Sequence, residues 1–347
     1  MVPLPRIPLP CGIPEKRNIG FVRISNTKHR TGREGEESMN LDREKIYVGM
    51  GGWDLEPFSK VFYPPRPKKD FRKLEYYSQF FDSVEINATF YNTSLSPDHA
   101  RRWLNDVSGN KDFVFTVKLF NGFTHTYTAD YEDVRAVHRM LEPLEAAGKM
   151  GGLLIQFPYS FTNIGERRAY LMQLAKAFQP HRLFVEVRHN SWNSPLMYNF
   201  FQENKLHMVN VDLPGIKQHM PFTCESWNGA AYFRMMGRNV MTWDRPFSKH
   251  PSGKYLISDR YHYLYNDREL QHLLKSIEQM RQRASTTFVV FHNDPEANSL
   301  VNGFQLRHLV RHKHRVLVPQ NLVAAFPVLK QISAPVNVQH PLFAEVA

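Results

Sequence analysis

The feature that most constrains this chain is a repeated alternation. Eight short apolar runs are separated, in most cases, by segments of helical length. The runs are Ile46–Gly49, Ser83–Asn87, Phe113–Lys118, Gly152–Phe157, Leu183–Arg188, His207–Asp212, Ala231–Met236 and Phe288–Asn293. Among the intervening segments, those beginning at Arg135 and Glu269 repeat apolar residues at three- and four-residue spacing, as an amphipathic helix does. Ser96-Pro-Asp reads as an N-cap with proline in the first turn. Regular βα alternation calls for a parallel sheet, and eight units close it into a (β/α)8 barrel of the TIM type, fold class α/β. The competing open, doubly wound sheet finds no support after the first run. Gly49-Met-Gly-Gly-Trp53 is too short for a glycine-rich phosphate fingerprint and leads into Pro57 rather than directly into a helix.

Parallel strands covered on both faces should be almost continuously apolar, and these are not. They close on polar residues at their C-terminal ends, often two apart and so on one face. The set is Glu85 and Asn87, Thr116 and Lys118, Gln156, Glu186 and Arg188, Asn210 and Asp212, Tyr232 and Arg234, and then His292, Asn293 and Asp294. The alternate neighbours Val84, Ile86, Val117, Val185, Val187, Val211 and Phe233 suit packing beneath helices. The polar set is therefore expected to point into the barrel at its C-terminal mouth, where barrel enzymes keep their chemistry. One buried Glu–Arg couple is often only structural. A ring of Glu85, Lys118, Glu186, Arg188, Asp212 and Arg234 costs several kcal/mol per ion before pairing, and Val or Leu would fill a barrel without that cost. A set of this size points to a ligand site. It is also close to charge-balanced, with three acids against three bases.

Several motifs carry a family resemblance. Gly51-Gly-Trp53, Phe62-Tyr-Pro-Pro65 and Phe80-Phe-Asp-Ser-Val-Glu85-Ile-Asn-Ala-Thr-Phe-Tyr91 are followed by Phe115…Lys118, Thr124-His125 and Gln156-Phe-Pro158. Val185-Glu-Val-Arg-His189, Ser191-Trp192 and Phe291-His-Asn-Asp294 complete the series. Together they resemble the YecE-like family (domain of unknown function 72), over roughly Lys45 to Ile332. The resemblance implies a (β/α)8 barrel, in agreement with the strand count, and brings no agreed activity. One departure stands at the eighth strand, where His292 occupies a place often taken by Asn.

Three functional readings follow. In the first, the mouth is an enzyme site acting by acid/base chemistry of hydrolase or lyase type on a small polar or anionic molecule. Glu85, Glu186, Asp212 and His125 then supply acid and base. Lys118, Arg188 and Arg234 hold an anionic group, while Asn87, Gln156 and Asn293 orient the substrate. Asp294, His189, Trp53 and Trp192 complete the lining, although either tryptophan also suits simple wall packing. Arg234-Met-Met-Gly237-Arg238 reads as a phosphate or carboxylate cradle after the seventh strand. The long segment from Arg238 to Asn266, with Trp243, Tyr255, Tyr261, Tyr263 and Tyr265, suits either a cover for the mouth or a packed surface excursion.

The second reading is nucleic-acid binding, with metal-assisted phosphodiester cleavage of the repair-nuclease kind. It draws on the formal net charge of +11, on Arg66-Pro-Lys68-Lys69…Arg72-Lys73, and on the basic run from Arg307 to Arg315. That second run falls at a helix C-terminus on the face opposite the mouth, where the helix dipole alone favours cations. No cofactor is expected. A divalent metal is the alternative, but Lys118, Arg188 and Arg234 would repel one, and His125, His189 and His292 form no ligand-spaced pair. The third reading is a non-catalytic barrel that binds a ligand in the same pocket.

Composition sets the outer bounds. An apolar share of 42% and an aromatic share of 13% supply a sizeable core. Residues 1–44 are proline-rich and then Arg/Gly/Glu-rich, without apolar periodicity, and read as a flexible extension. The barrel domain is expected over 45–332, and 333–347 as a C-terminal tail. The extension holds eight Lys/Arg against six Asp/Glu, so most of the positive excess belongs to the folded region. Met1–Pro10 lacks a small-residue cleavage site and is not read as a signal peptide. No membrane partner is expected, since no run approaches the roughly 18 apolar residues of a spanning helix. Cys11 and Cys224 are far apart, which suits a reducing cytoplasm better than a disulfide framework. Oligomeric state is not encoded in any of these features.

Overall fold

A computed structural model describes residues 45–216, 218–243, 259–281 and 283–334. The proposed extension, nearly all of the tail, Cys11 and Tyr255 lie outside the described residues. Eight parallel strands form a closed barrel in sequence order: β1 (Lys45–Met50), β2 (Ser83–Ile86), β3 (Val114–Lys118), β4 (Met150–Gln156), β5 (Leu183–Glu186), β6 (His207–Asp212), β7 (Gly229–Met235) and β8 (Ala284–Phe291). Closure comes from β1 against β8, where Lys45 to Met50 pair with Thr286 to Phe291. The open-sheet alternative is thereby excluded.

Helices expected from periodicity are present at Tyr131–Ala146 and Asp267–Arg281. The first begins at Asp130, whose carboxylate accepts from the N–H groups of Glu132 and Asp133 at 2.8 and 3.1 Å. The Ser96-Pro97 signal starts the helix Pro97–Asp106. No helix among the described residues is long and apolar enough to cross a membrane.

Two apolar layers position the site. Inside the barrel, Tyr47, Leu154, Phe184, Val209, Ala230, Tyr232, Phe288 and Val290 form a plug. Tyr47 stacks on Phe288 with centroids 5.2 Å apart, and Phe184 meets Tyr232 at 4.8 Å. Outside, Val84, Ile86, Val117, Val185, Val187 and Phe233 belong to the larger core beneath the helices, as their alternation predicts. The plug fills the N-terminal part of the barrel. Inward positions beyond it, toward the strands' C-terminal ends, are largely polar, with Val211 on β6 apolar.

Candidate functional site at the barrel mouth

Arg234 on β7 organises the mouth. Its Nε donates to Glu85 Oε2 at 2.9 Å and its Nη2 to Glu85 Oε1 at 2.8 Å, a bidentate grip across the barrel. Its Nη1 donates to Glu186 Oε2. The other Glu186 oxygen accepts from Arg188 Nε at 2.7 Å. Below this chain, Tyr232 donates its hydroxyl to Glu85 Oε2 at 2.8 Å and is reached by Thr116 Oγ1 at 2.8 Å. Glu85, Glu186 and Arg234 are buried. Burial alone would raise both carboxyls, but it is outweighed. Arg234 and His292 hold Glu85 well below the usual carboxylate range, and Arg234 with Arg188 brings Glu186 down to about 2. Arg234 is raised in turn, burial being overcome by Glu186 and Glu85.

His292 closes the chain on its β1 side. Burial and Arg234 lower its pKa, against the pull of Glu85. Its Nε2 lies 2.9 Å from Arg234 Nη2 and 3.2 Å from Glu85 Oε1, so it accepts from the guanidinium in one tautomer and donates to the carboxylate in the other. The imidazole lies over Gly51, where an added Cβ would fall 2.1 Å from the ring. Gly51 is required for this close approach. Asn87 donates to Gly51 O at 2.7 Å, and its own Oδ1 is buried without a partner.

Lys118, at the inward C-terminal end of β3, differs from the other cations. Its Nζ sits 3.8 Å from the centroid of the Phe90 ring and pairs with no carboxylate among the described residues. Thr89 Oγ1 donates to Lys118 O at 2.6 Å and fixes the backbone there. Removal from water and the nearby Arg234 lower its pKa to about 7, with Glu85 and Glu186 opposing and Arg188 adding to the drop. His125 stands edge-on to the same Phe90 ring at 5.0 Å, its Nδ1 bonded to Thr124 Oγ1 at 2.8 Å. Burial, Lys118 and Arg188 push it down to about 4. Phe90 was not singled out from sequence. The available signal was an aromatic residue within the first turn after a strand's C-terminal end, a place that faces the mouth.

Four expectations are corrected. Asp212 and Asn210 do not face the mouth: on β6 the inward residues are Val209, in the plug, and hence Val211. Asp212 instead accepts from Arg238 Nε at 2.8 Å and from the Tyr265 hydroxyl at 2.6 Å, on the outer side. Asn293 also turns outward, donating to Tyr263 O and to Asn302 Oδ1, both at 2.8 Å. Trp192 is wholly buried, stacked on Phe161 with its indole N–H given to Phe161 O at 2.8 Å, so it is wall. The Gly237–Arg238 cradle is filled from within. Gly237 N–H goes to the Tyr265 hydroxyl at 2.9 Å, and Arg238 is held by Asp212 and Glu269. In the same connection Trp243 is buried in a cluster with the inward Val211, Leu213 and Met236, while Tyr265 is buried on the outer side against Asp212, so its described part serves both as cover and as packed wall.

The remaining residues have intermediate positions. Trp53 is half-buried, edge-on to Trp103 at 6.0 Å. His189 is held at the rim by Ser191 Oγ at 2.9 Å and Gln218 Oε1 at 3.1 Å. Gln156, beside Glu186 in register, gives its Nε2 to Phe157 O at 2.9 Å. Asp294 is buried behind the ring, with Oδ1 unpartnered, and burial raises its pKa to about 7 against the pull of the neighbouring Ser299 hydroxyl. With Asp212 removed, the mouth is no longer balanced. Glu85 and Glu186 face Lys118, Arg188 and Arg234. Among the described residues no three His, Cys, Asp or Glu side chains gather as a metal-ligating group.

Comparison with known proteins agrees with this architecture. The UPF0759 protein YunF of Bacillus subtilis (strain 168) is 28% identical over 290 residues, covering 80% of this chain and 99% of YunF. A crystal structure of a DUF72 family protein from Thermotoga maritima MSB8 superposes with a TM-score of 0.67 at 30% identity, covering 77% of this chain and 99% of that one. A DUF72 family protein from Enterococcus faecalis V583 gives a TM-score of 0.67 at 24% identity, over 79% of this chain and 98% of that one, and supports the fold. The profile described as "Protein of unknown function DUF72" matches residues 47–325, and the chain is a member of the DUF72 family.

Proposed function

We propose that the mouth binds a small anionic molecule and performs proton-transfer chemistry on it. The observation that carries this reading is an asymmetry of pairing. Two buried carboxylates saturate Arg234 and take one nitrogen of Arg188, while Lys118 is left without a carboxylate. A net positive mouth built on a rigid barrel is an anion site at low cost of reorganisation. Arg188, with its Nε engaged and its two terminal nitrogens outside any hydrogen bond among the described residues, is suited to grip a carboxylate or phosphate. Glu85 and Glu186 are held ionised, so the acid/base role expected of them passes to Lys118, whose pKa near 7 suits proton transfer at neutral pH. Asn87 Oδ1 adds a free acceptor.

The nucleic-acid reading draws less support. Arg72 is engaged by Glu75 and Asp106, Lys73 by Asp54, and Arg307 by Asp82 at the opposite end of the barrel. Calorimetric titration with inorganic phosphate and with pyruvate tests the anion site. Arg188→Gln is expected to weaken binding by about tenfold or more, the scale of one charge-assisted contact. Equal affinity in wild type and variant, or no binding of either anion, removes this reading. Binding that persists in Lys118→Met, with no turnover in any form, selects the non-catalytic ligand barrel instead.

A further inference from the structure

Lys118 is placed for more than proton transfer. Its backbone is pinned by Thr89, its ammonium has no acid to neutralise it, and its contact surface is the face of Phe90. The groups facing it from the other strands are Arg234, Glu85, Glu186 and Arg188, with His125 alongside. Both glutamates are occupied by arginines, so neither is drawn to the amine. A cation held for structure alone would be expected to pair with one of these glutamates. An amine paired with no acid, against an apolar ring and near two guanidinium groups, is the environment that frees a lysine lone pair for attack on carbon.

We propose that Lys118 Nζ forms a Schiff base with a small aldehyde or ketone that also carries a carboxylate or phosphate, the anionic group being taken by Arg188. This rests on reading the mouth as an anion-binding active site. In the step, the Nζ lone pair forms a C–N bond and the carbonyl π pair moves to oxygen. The free amine gives one of its two protons to that oxygen and solvent supplies a second; the nitrogen lone pair then forms the C=N⁺ bond as the oxygen leaves as water, and the nitrogen retains one N–H. Nothing is oxidised or reduced. The substrate class is thereby narrowed to carbonyl compounds, for which an iminium acts as an electron sink in bond cleavage or proton removal at the adjacent carbon.

The test incubates the full chain with pyruvate or with uncharged propionaldehyde, each with sodium cyanoborohydride, and maps the reduced adducts by peptide mass. At pH 7 a lysine of pKa about 7 is roughly half free amine, against about one part in 2,500 for an ordinary one. Even after allowing for its weaker intrinsic nucleophilicity, Lys118 should label at least about tenfold faster than exposed Lys69. Labelling should climb with pH and level off above about 7. Lys118→Arg, which keeps a cation over Phe90, should remove the adduct while retaining the wild-type circular dichroism. Arg188→Gln should slow the pyruvate adduct about tenfold and leave that of propionaldehyde within about twofold. The selectivity over Lys69 requires no variant. Labelling of Lys118 no faster than Lys69 overturns the Schiff base. If pyruvate binds through Arg188 by calorimetry yet leaves Lys118 unlabelled, only the Schiff base falls. If pyruvate and inorganic phosphate ignore Arg188 altogether, the anion site falls first.

Discussion

Arg234 satisfies two carboxylates at once and is buried with them, so its contribution is clearest from what its loss would leave behind. Removing one member of a buried ion network strands uncompensated charge, at about 3–5 kcal/mol. Arg234→Met is therefore expected to lower the unfolding free energy in urea by about that amount. Replacing Glu85 and Glu186 by Gln in the same background should recover much of the loss, because neither buried carboxylate is then left uncompensated. A single Arg234→Met variant as stable as wild type would mean that water already reaches the pair. Arg234→Lys is not a conservative change here. An ammonium offers no planar fork, so the bidentate grip on Glu85 and the bond to Glu186 cannot both be made.

At the scale of the strand, β6 shows what was legible in the sequence and what was not. Alternation says which residues share a face, and Asn210 with Asp212 do share one. It does not say which face is inward. On β2, β3, β5 and β7 the polar face is the inner one, and extending that rule to β6 places Asp212 in the mouth. The structure reverses it, because the outer face of β6 is not covered by an apolar helix alone. Asn210 accepts from Thr223 Oγ1 and Glu225 N, both at 2.8 Å, and so organises the strand's neighbouring loop, while Asp212 anchors Arg238 and Tyr265. Those partners lie 13 to 53 residues away in sequence, beyond what local pattern can reveal. The fold and the Glu85–Arg234–Glu186–Arg188 set were legible because each strand repeated the same signal. The pairing that leaves Lys118 alone was not, since it depends on cross-barrel distances. Asp212→Asn tests the assignment. It should cost about 1–3 kcal/mol through the weakened bonds to Arg238 and Tyr265, yet leave pyruvate affinity and Lys118 labelling unchanged. A change in either mouth property with stability intact would return Asp212 to the site.

For the whole molecule, the buried ionisable groups pull the pH dependence of stability in opposite directions. His207, packed between Phe184 and the Ala230 carbonyl, is pushed by burial and Arg182 to about 4. The unfolded chain takes up a proton there below about pH 6.5 and the folded chain does not. Stability is therefore present above 6.5 and falls as the pH drops toward 4, by on the order of 3 kcal/mol. Glu186, at about 2, behaves likewise between its ordinary value and 2, extending the acid loss downward. Asp294 has the reverse sign. Burial raises it to about 7, so the folded state keeps a proton that the unfolded state releases above 3.8. Its penalty is absent below 3.8, grows between 3.8 and 7, and is full above 7. Asp294→Asn preserves the neutral shape and removes that penalty. The variant should match wild type in urea unfolding at pH 4 and exceed it at pH 8, by a margin that widens between those values and reaches at most on the order of 4 kcal/mol. Its acid limb should consequently be steeper than that of wild type, since the opposing group is gone. A difference between the two proteins that stayed constant from pH 4 to pH 8 would show that the Asp294 carboxyl is not the buried, proton-retaining group described here, and that the unpartnered oxygen beside Ser299 is satisfied by solvent.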